Sequence, residues 1–267
     1  MKIKTILLAL LTTCSLTSCS IFNFWSNDNE EKVVDDKTLC SSKKDIITNH
    51  TYIPSLNACQ RLSDQGDLNA TYVLGLLYTD TSILTSFLDP DTRVEQGVAL
   101  VKKAADGGIV KAQRSLGEYY ADQKGDNENA VIYLQKAVDN GDTDSLIDLG
   151  TVYENLGQCQ KAADAYRKEI KQNGKNADGY FYLSLLHVTG CKDLNKDIGK
   201  ACGYFALAQD SQIKNTILKV LEYEAQTGEA AKKNSVTSEL RIIHDYETKN
   251  AAKCESSKKK LQLTLFD

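Results

Sequence analysis

The sequence is poor in proline, in histidine and in net positive charge, and it has no long apolar run. Two prolines among 267 residues, beside strong helical periodicity, argue against β-rich classes. Thirty-two basic against thirty-six acidic residues give a formal charge of −4, which excludes a nucleic-acid partner on charge grounds. The longest apolar core, Ile6–Leu11, is too short for the ~20 residues that span a bilayer. The three histidines, His50, His187 and His244, are far apart and have no ligand or base at a motif spacing. There is no Gly-x-Ser-x-Gly, no His-Glu-x-x-His, no phosphate-cradling glycine loop and no Cys-x-x-Cys. Catalytic residues, a metal and a cofactor are therefore not expected.

What the sequence has is a repeat. Leu74-Gly75 is followed by Tyr78, Leu116-Gly117 by Tyr119 and Tyr120, and Leu149-Gly150 by Tyr153; a weaker copy is Leu183-Ser184. These leucines step by 42, 33 and 34 residues. Gly66, Gly108, Gly141 and Gly174 keep the same phase, with steps of 42, 33 and 33. A period of this size means stacked two-helix units. In the unit Thr143–Gly174, Leu146, Leu149, Gly150 and Tyr153 fall on one helical face. Asn155–Gln158 is the turn, and Ala162, Ala163, Tyr166 and Ile170 form the stripe of a second helix. A glycine inside a helix costs about 1 kcal/mol against alanine, so its return at one place in three units predicts that the second helix packs closely there. One hairpin cannot bury its stripe alone; a stack can.

These landmarks resemble Sel1-like repeats, close relatives of tetratricopeptide repeats. Segments 69–108 and 110–141 match the Leu-Gly-x-x-Tyr and Lys-Ala-Ala-x-x-Gly signatures, 143–174 fits the tetratricopeptide register equally well, and 176–210 is degenerate. The resemblance implies an all-α, right-handed α/α superhelix, with a half unit at 54–66 and a repeat array over 38–213. Residues 214–267 read as capping helices, Asn215–Thr227 and Ser235–Lys253, and a tail. The tail, with Leu261, Leu263 and Phe266, alternates as a strand would and is expected to fray. The stretch Thr79–Arg93 lengthens the first repeat, and its Ile83, Leu84, Phe87 and Leu88 must pack or bind.

By the tetratricopeptide register, first-helix side chains outside the Leu-Gly-Tyr stripe line a concave groove. They are Asn69, Tyr72, Lys111, Arg114, Glu118, Asp144, Ile147, Glu154, Asn155, Asp178 and Phe181. The mixture of polar groups and aromatic anchors suits an envelope protein, a peptide or a glycan. Two other classes stay open. Some cysteine-rich Sel1-like proteins are linked with β-lactam or peptidoglycan binding and hydrolysis, although here repeats 69–108 and 110–141 carry no cysteine. The third class is a structural part of an envelope assembly.

The N-terminus reads as a signal peptide over residues 1–18, ending in Leu16-Thr-Ser-Cys19. That ending resembles the bacterial lipobox, which implies a lipid on Cys19, and Ser20 resembles the outer-membrane sorting pattern. Anchoring by acyl chains needs no transmembrane helix. Residues 19–37 are expected to be a flexible tether facing the periplasm. Removal of 1–18 leaves 249 residues with a charge of −6. Beyond Cys19, six cysteines remain: Cys40, Cys59, Cys159, Cys191, Cys202 and Cys254. An even number in an exported chain predicts disulfides. Cys159 and Cys191 occupy the same turn in successive repeats, Cys40 lies just before the first unit and Cys59 within it, and Cys202 is left for Cys254. A local Cys191–Cys202 link is the rival arrangement.

Overall fold

The computed structural model describes residues 34–48, 52–80, 90–174, 178–208 and 235–265. These residues form helices α1 (Asp36–Leu39), α2 (Lys43–Thr48), α3 (Tyr52–Asp64), α4 (Leu68–Thr79), α5 (Pro90–Asp106) and α6 (Val110–Tyr119). The series continues with α7 (Asn127–Asp139), α8 (Ser145–Asn155), α9 (Cys159–Asn173), α10 (Gly179–Thr189), α11 (Ile198–Leu207) and α12 (Ser235–Leu265). A single π-helical turn, Tyr120–Lys124, extends α6. The fold is an all-α solenoid: α4/α5, α6/α7, α8/α9 and α10/α11 pair as hairpins, each packs on the next, and α3 is the half unit at the front. Among the described residues the only β pairing is an isolated bridge, Cys191 with Leu194. None of the described helices is long and apolar enough to cross a membrane.

Aspartate side chains cap the starts of α4, α7 and α11. The carboxylates of Asp67, Asp126 and Asp197 accept backbone N–H bonds from Ala70, Asn129 and Lys200 at 2.9–3.1 Å. Two caps come from a neighbouring unit. Buried Glu169 of α9 accepts from the backbone N–H of Gly179 at 2.8 Å, so one hairpin caps the next. Asp193, in the α10–α11 loop, accepts from the N–H groups of Cys159 and Gln160 at 3.0 and 3.2 Å and caps α9 backwards. Helices end at Gly66, Gly108 and Gly141, whose φ values of 91°, 94° and 94° favour glycine.

The repeat leucines are the centre of the core: Leu74, Leu116, Leu149 and Leu183 are all at most 3% exposed. The glycine beside each of the first three is where two helices touch. A Cβ on Gly75 would lie 2.8 Å from the carbonyl oxygen of Gly97, and one on Gly150 would lie 2.2 Å from the Tyr166 ring. The helical glycine cost is thus offset by close packing, as the sequence predicts. In the fourth unit the glycine is replaced by buried Ser184.

The cysteines pair as Cys40–Cys59, Cys159–Cys191 and Cys202–Cys254, with Cα–Cα separations of 5.0, 6.3 and 5.4 Å. The Cys191–Cys202 alternative is absent. Thiol titration of the denatured, unreduced chain is expected to find none of these six sulfurs free. Reactive thiol at any of them would contradict the pairing.

Two expectations are corrected. Residues Asp36 and Lys37, assigned to the tether, belong to α1, where the Asp36 carboxylate pairs with Arg61 of α3. The C-terminal segment is neither strand-like nor frayed. Helix α12 continues to Leu265, kinked at Asn250, and packs on α10 and α11. Its docking explains the misleading alternation: Leu261 faces the core at 8% exposure, whereas Leu263 is 70% exposed. Gly203 of α11 makes room for it, since a Cβ there would meet Leu261 at 2.9 Å and the backbone nitrogen of Lys258 at 3.0 Å. The signal and lipobox residues, the Asn215–Thr227 helix and the insertion residues Ile83, Leu84, Phe87 and Leu88 lie outside the described residues.

Candidate functional site

Side chains of the first helices α4, α6, α8 and α10, with Tyr166 of the second helix α9 between the last two, link unit to unit. Tyr72 of α4 and Ser115 of α6 share a hydroxyl–hydroxyl hydrogen bond at 2.9 Å. Arg114 of α6 bridges to α8: its Nη1 donates to Asp144 at 3.0 Å, and its Nε lies 3.1 Å from an Asp148 carboxylate oxygen. Further along, the Tyr166 hydroxyl donates to Glu154 at 2.5 Å, and the Tyr166 ring stacks on Tyr182 of α10 at 5.2 Å. The links are staggered. Tyr72 and Arg114 occupy one repeat position, and each meets the residue one place further along in the next unit, Ser115 and Asp148.

Arg114 is the electrostatic hub. Its Nε also donates to Glu118 at 2.8 Å, and Asp142 lies at 4.0 Å. One cation thus faces four carboxylates, and the cluster keeps a formal excess of three negative charges. Partial burial raises the Asp148 carboxyl to about 6; Arg114 opposes that shift, and Glu118 and Asp142 reinforce it. Glu154 is also raised by burial, against its bond from Tyr166. Tyr182 is pushed up first by burial and then by the carboxylates of Asp178, Asp148 and Glu154, so its hydroxyl stays protonated beside them.

The structure treats the sequence-selected residues unequally. Asn69, Lys111, Asp144 and Asn155 are exposed, and Tyr72, Arg114, Glu118, Ile147, Glu154 and Asp178 are part-buried. Ile147 packs partly on the core around Leu183. Phe181 is the correction. It is 1% exposed, in the same cluster as Leu240 and Ile243 of α12, and cannot line a groove. The aromatic ring left part-exposed on α10 is its neighbour Tyr182. Sequence reasoning missed Asp148 and Tyr182. Both sit one place beyond the selected column, so a one-residue stagger between units is the signal that would have found them.

The sulfurs of Cys159 and Cys191 and a carboxylate oxygen of Asp193 lie within 4.8 Å of one another. The sulfurs are bonded to each other and Asp193 caps α9, so this group is structural.

No family model matches the chain. Among curated proteins, DAP3-binding cell death enhancer 1 of Mus musculus is 39% identical over 84 residues, covering 28% of this chain and 16% of that protein. The Rattus norvegicus protein is 37% identical over 100 residues, covering 34% and 19%. The chain therefore spans under a fifth of the length of these relatives. Its neighbours in shape are Sel1-like repeat and tetratricopeptide repeat proteins. They include MamA, with a TM-score of 0.47 and 21% identity over 65% of this chain and 95% of that one. A Sel1 repeat protein from Oxalobacter formigenes has a TM-score of 0.48 and 17% identity, covering 78% and 86%. A protective antigen of uropathogenic Escherichia coli with an SLR fold has a TM-score of 0.47 and 19% identity, covering 79% and 44%. The fold assignment itself rests on the succession of hairpins described above.

Proposed function

We propose that this protein is a membrane-anchored interaction scaffold of the bacterial periplasm that holds a partner protein or peptide along its first-helix face. The observation that carries the reading is the acidic cluster around Arg114. It joins two successive units within a face of linked side chains that runs from α4 to α10, fixed by side-chain bonds that exist before any partner arrives, so binding needs no folding step. Its negative excess favours a partner segment rich in Lys and Arg, with Tyr72 and Tyr182 beside it as aromatic anchors. Replacing Tyr72 by Ala and the exposed carboxylate Asp144 by Asn is expected to weaken capture of the envelope partner by about 1–3 kcal/mol while the far-UV helical signal is preserved. Unchanged capture by the folded double variant would remove this face from the function.

The anchoring part of the proposal draws support from Leu16-Thr-Ser-Cys19 and from three cysteine pairs at bonding distance, which suit an oxidising compartment. Outer-membrane placement draws on Ser20 alone. Cys19→Ser is expected to release the processed chain from membranes or to leave it unprocessed. Processed protein that still fractionates with membranes would contradict lipid attachment at Cys19.

A further inference from the structure

We propose that the cavity between α9, α10, α11 and α12 is a binding site for a small organic molecule carrying two or more negative charges. This cavity is separate from the first-helix face, and its volume of about 490 Å³ is within the usual range for small-molecule sites. Three helices each contribute one cation to its lining: Arg167 from α9, Lys200 from α11 and Lys260 from α12. The lining holds one carboxylate, Asp197, which lies 3.7 Å from Lys200 and caps α11 with its other oxygen. The hydroxyl of Ser257 adds a neutral hydrogen-bonding group from α12, whereas that of Thr264 donates to the carbonyls of Lys260 and Leu261.

The independent sign of a ligand is His187. It lines the cavity, is only 2% exposed, and stacks on Tyr204 with ring centroids 5.5 Å apart and planes 10° from parallel. Among the described residues neither of its ring nitrogens has a hydrogen-bond partner. A buried polar atom without a partner is costly, and an acceptor oxygen in the cavity would satisfy the neutral ring's N–H. Burial holds the imidazole well below its ordinary range, at about 4, so at neutral pH it offers one donor and one acceptor, and the fixed positive charge comes from Arg167, Lys200 and Lys260. Arg167 is also paired with Asp164 of its own helix at 2.8 Å, so the three cations outnumber the two carboxylates beside them by one and select an anion; three cations in one lining suit two or more acidic groups that take over those contacts. The wall formed by α12 is fixed to α11 by the Cys202–Cys254 bridge, so the cavity is preorganised.

The test is calorimetric titration of the purified full chain with citrate and, separately, with inorganic pyrophosphate; maltose serves as the neutral control. Saturable one-to-one binding of citrate, pyrophosphate or both is expected, with none of maltose. The stronger of the two tells carboxylate from phosphate ligands. Lys200→Gln and Lys260→Gln, both surface changes that leave the core intact, should each weaken binding about tenfold, whereas Lys111→Gln should not. The imidazole NMR signals of His187 should shift on saturation, and those of His244 should not. No saturable binding of either anion overturns the proposal, as does equal weakening by Lys111→Gln or an unmoved His187.

Discussion

Leu149→Ala is expected to destabilise the chain by about 2–5 kcal/mol, the largest loss from any single truncation considered. Leu149 is 3% exposed, packs in the core shared by α7 and α8, and adjoins Gly150, against which the Tyr166 ring sits. The ring cannot easily fall into the cavity, because its hydroxyl is held by Glu154. Urea denaturation of the variant and the parent gives the difference directly. A loss under 1 kcal/mol would mean that the repeat leucines are not the core of the stack. Gly150→Val probes the same contact from the opposite side and should cost about 1–3 kcal/mol by overpacking.

The second large effect concerns pH. The folded Asp148 carboxyl titrates near 6 against an ordinary 3.8, so the folded chain holds that proton more tightly than the unfolded one. Its contribution to stability is fully present below about pH 3.8 and is lost as the pH rises through 6. His187 does the reverse. It titrates near 4 against an ordinary 6.5, so its contribution is fully present above 6.5 and is lost as the pH falls towards 4. At 1.36 kcal/mol per pH unit the His187 contribution is about 3 kcal/mol, and that of the less buried Asp148, discounted for screening, is about 1–2 kcal/mol. The two slopes oppose each other over the same window. Asp148→Asn should therefore steepen the loss of stability on acidification from pH 6.5 to 4. His187→Phe should flatten or invert it. Denaturation midpoints across that range test both; parallel profiles for the parent and both variants would contradict the assignments.

The array was legible because its signal is periodic. Leu74, Leu116 and Leu149 recur with a glycine behind each, and burial plus close packing at those positions follow from helix geometry. The Cys159–Cys191 pair was legible for the same reason, since a fixed unit length puts both at matching turns; the other two pairs were read from their places at the ends of the array. The end of the chain was not. Leu261, Leu263 and Phe266 mimic strand alternation, and only the surface offered by Gly203 shows which of the first two is buried. Phe181 was misplaced because its register was copied from the inner units, whereas its own unit packs under α12. The cavity at His187 was invisible because Arg167, Lys200 and Lys260 share no motif; tertiary packing alone brings them together. What the first-helix face holds is equally unwritten in the repeat, since the period specifies the stack and leaves the exposed positions free.

The central claim is that a partner lies along that face. The measurement that tests it most directly is site-specific photo-crosslinking in intact cells, with the crosslinker placed in turn at exposed first-helix positions Asn69, Lys111 and Asn155 and at exposed second-helix positions Ile132 and Lys168. Crosslinks to the same envelope protein from the first three positions, and not from the last two, are the predicted result. Equal crosslinking from both faces, or from the second-helix face alone, would contradict the account.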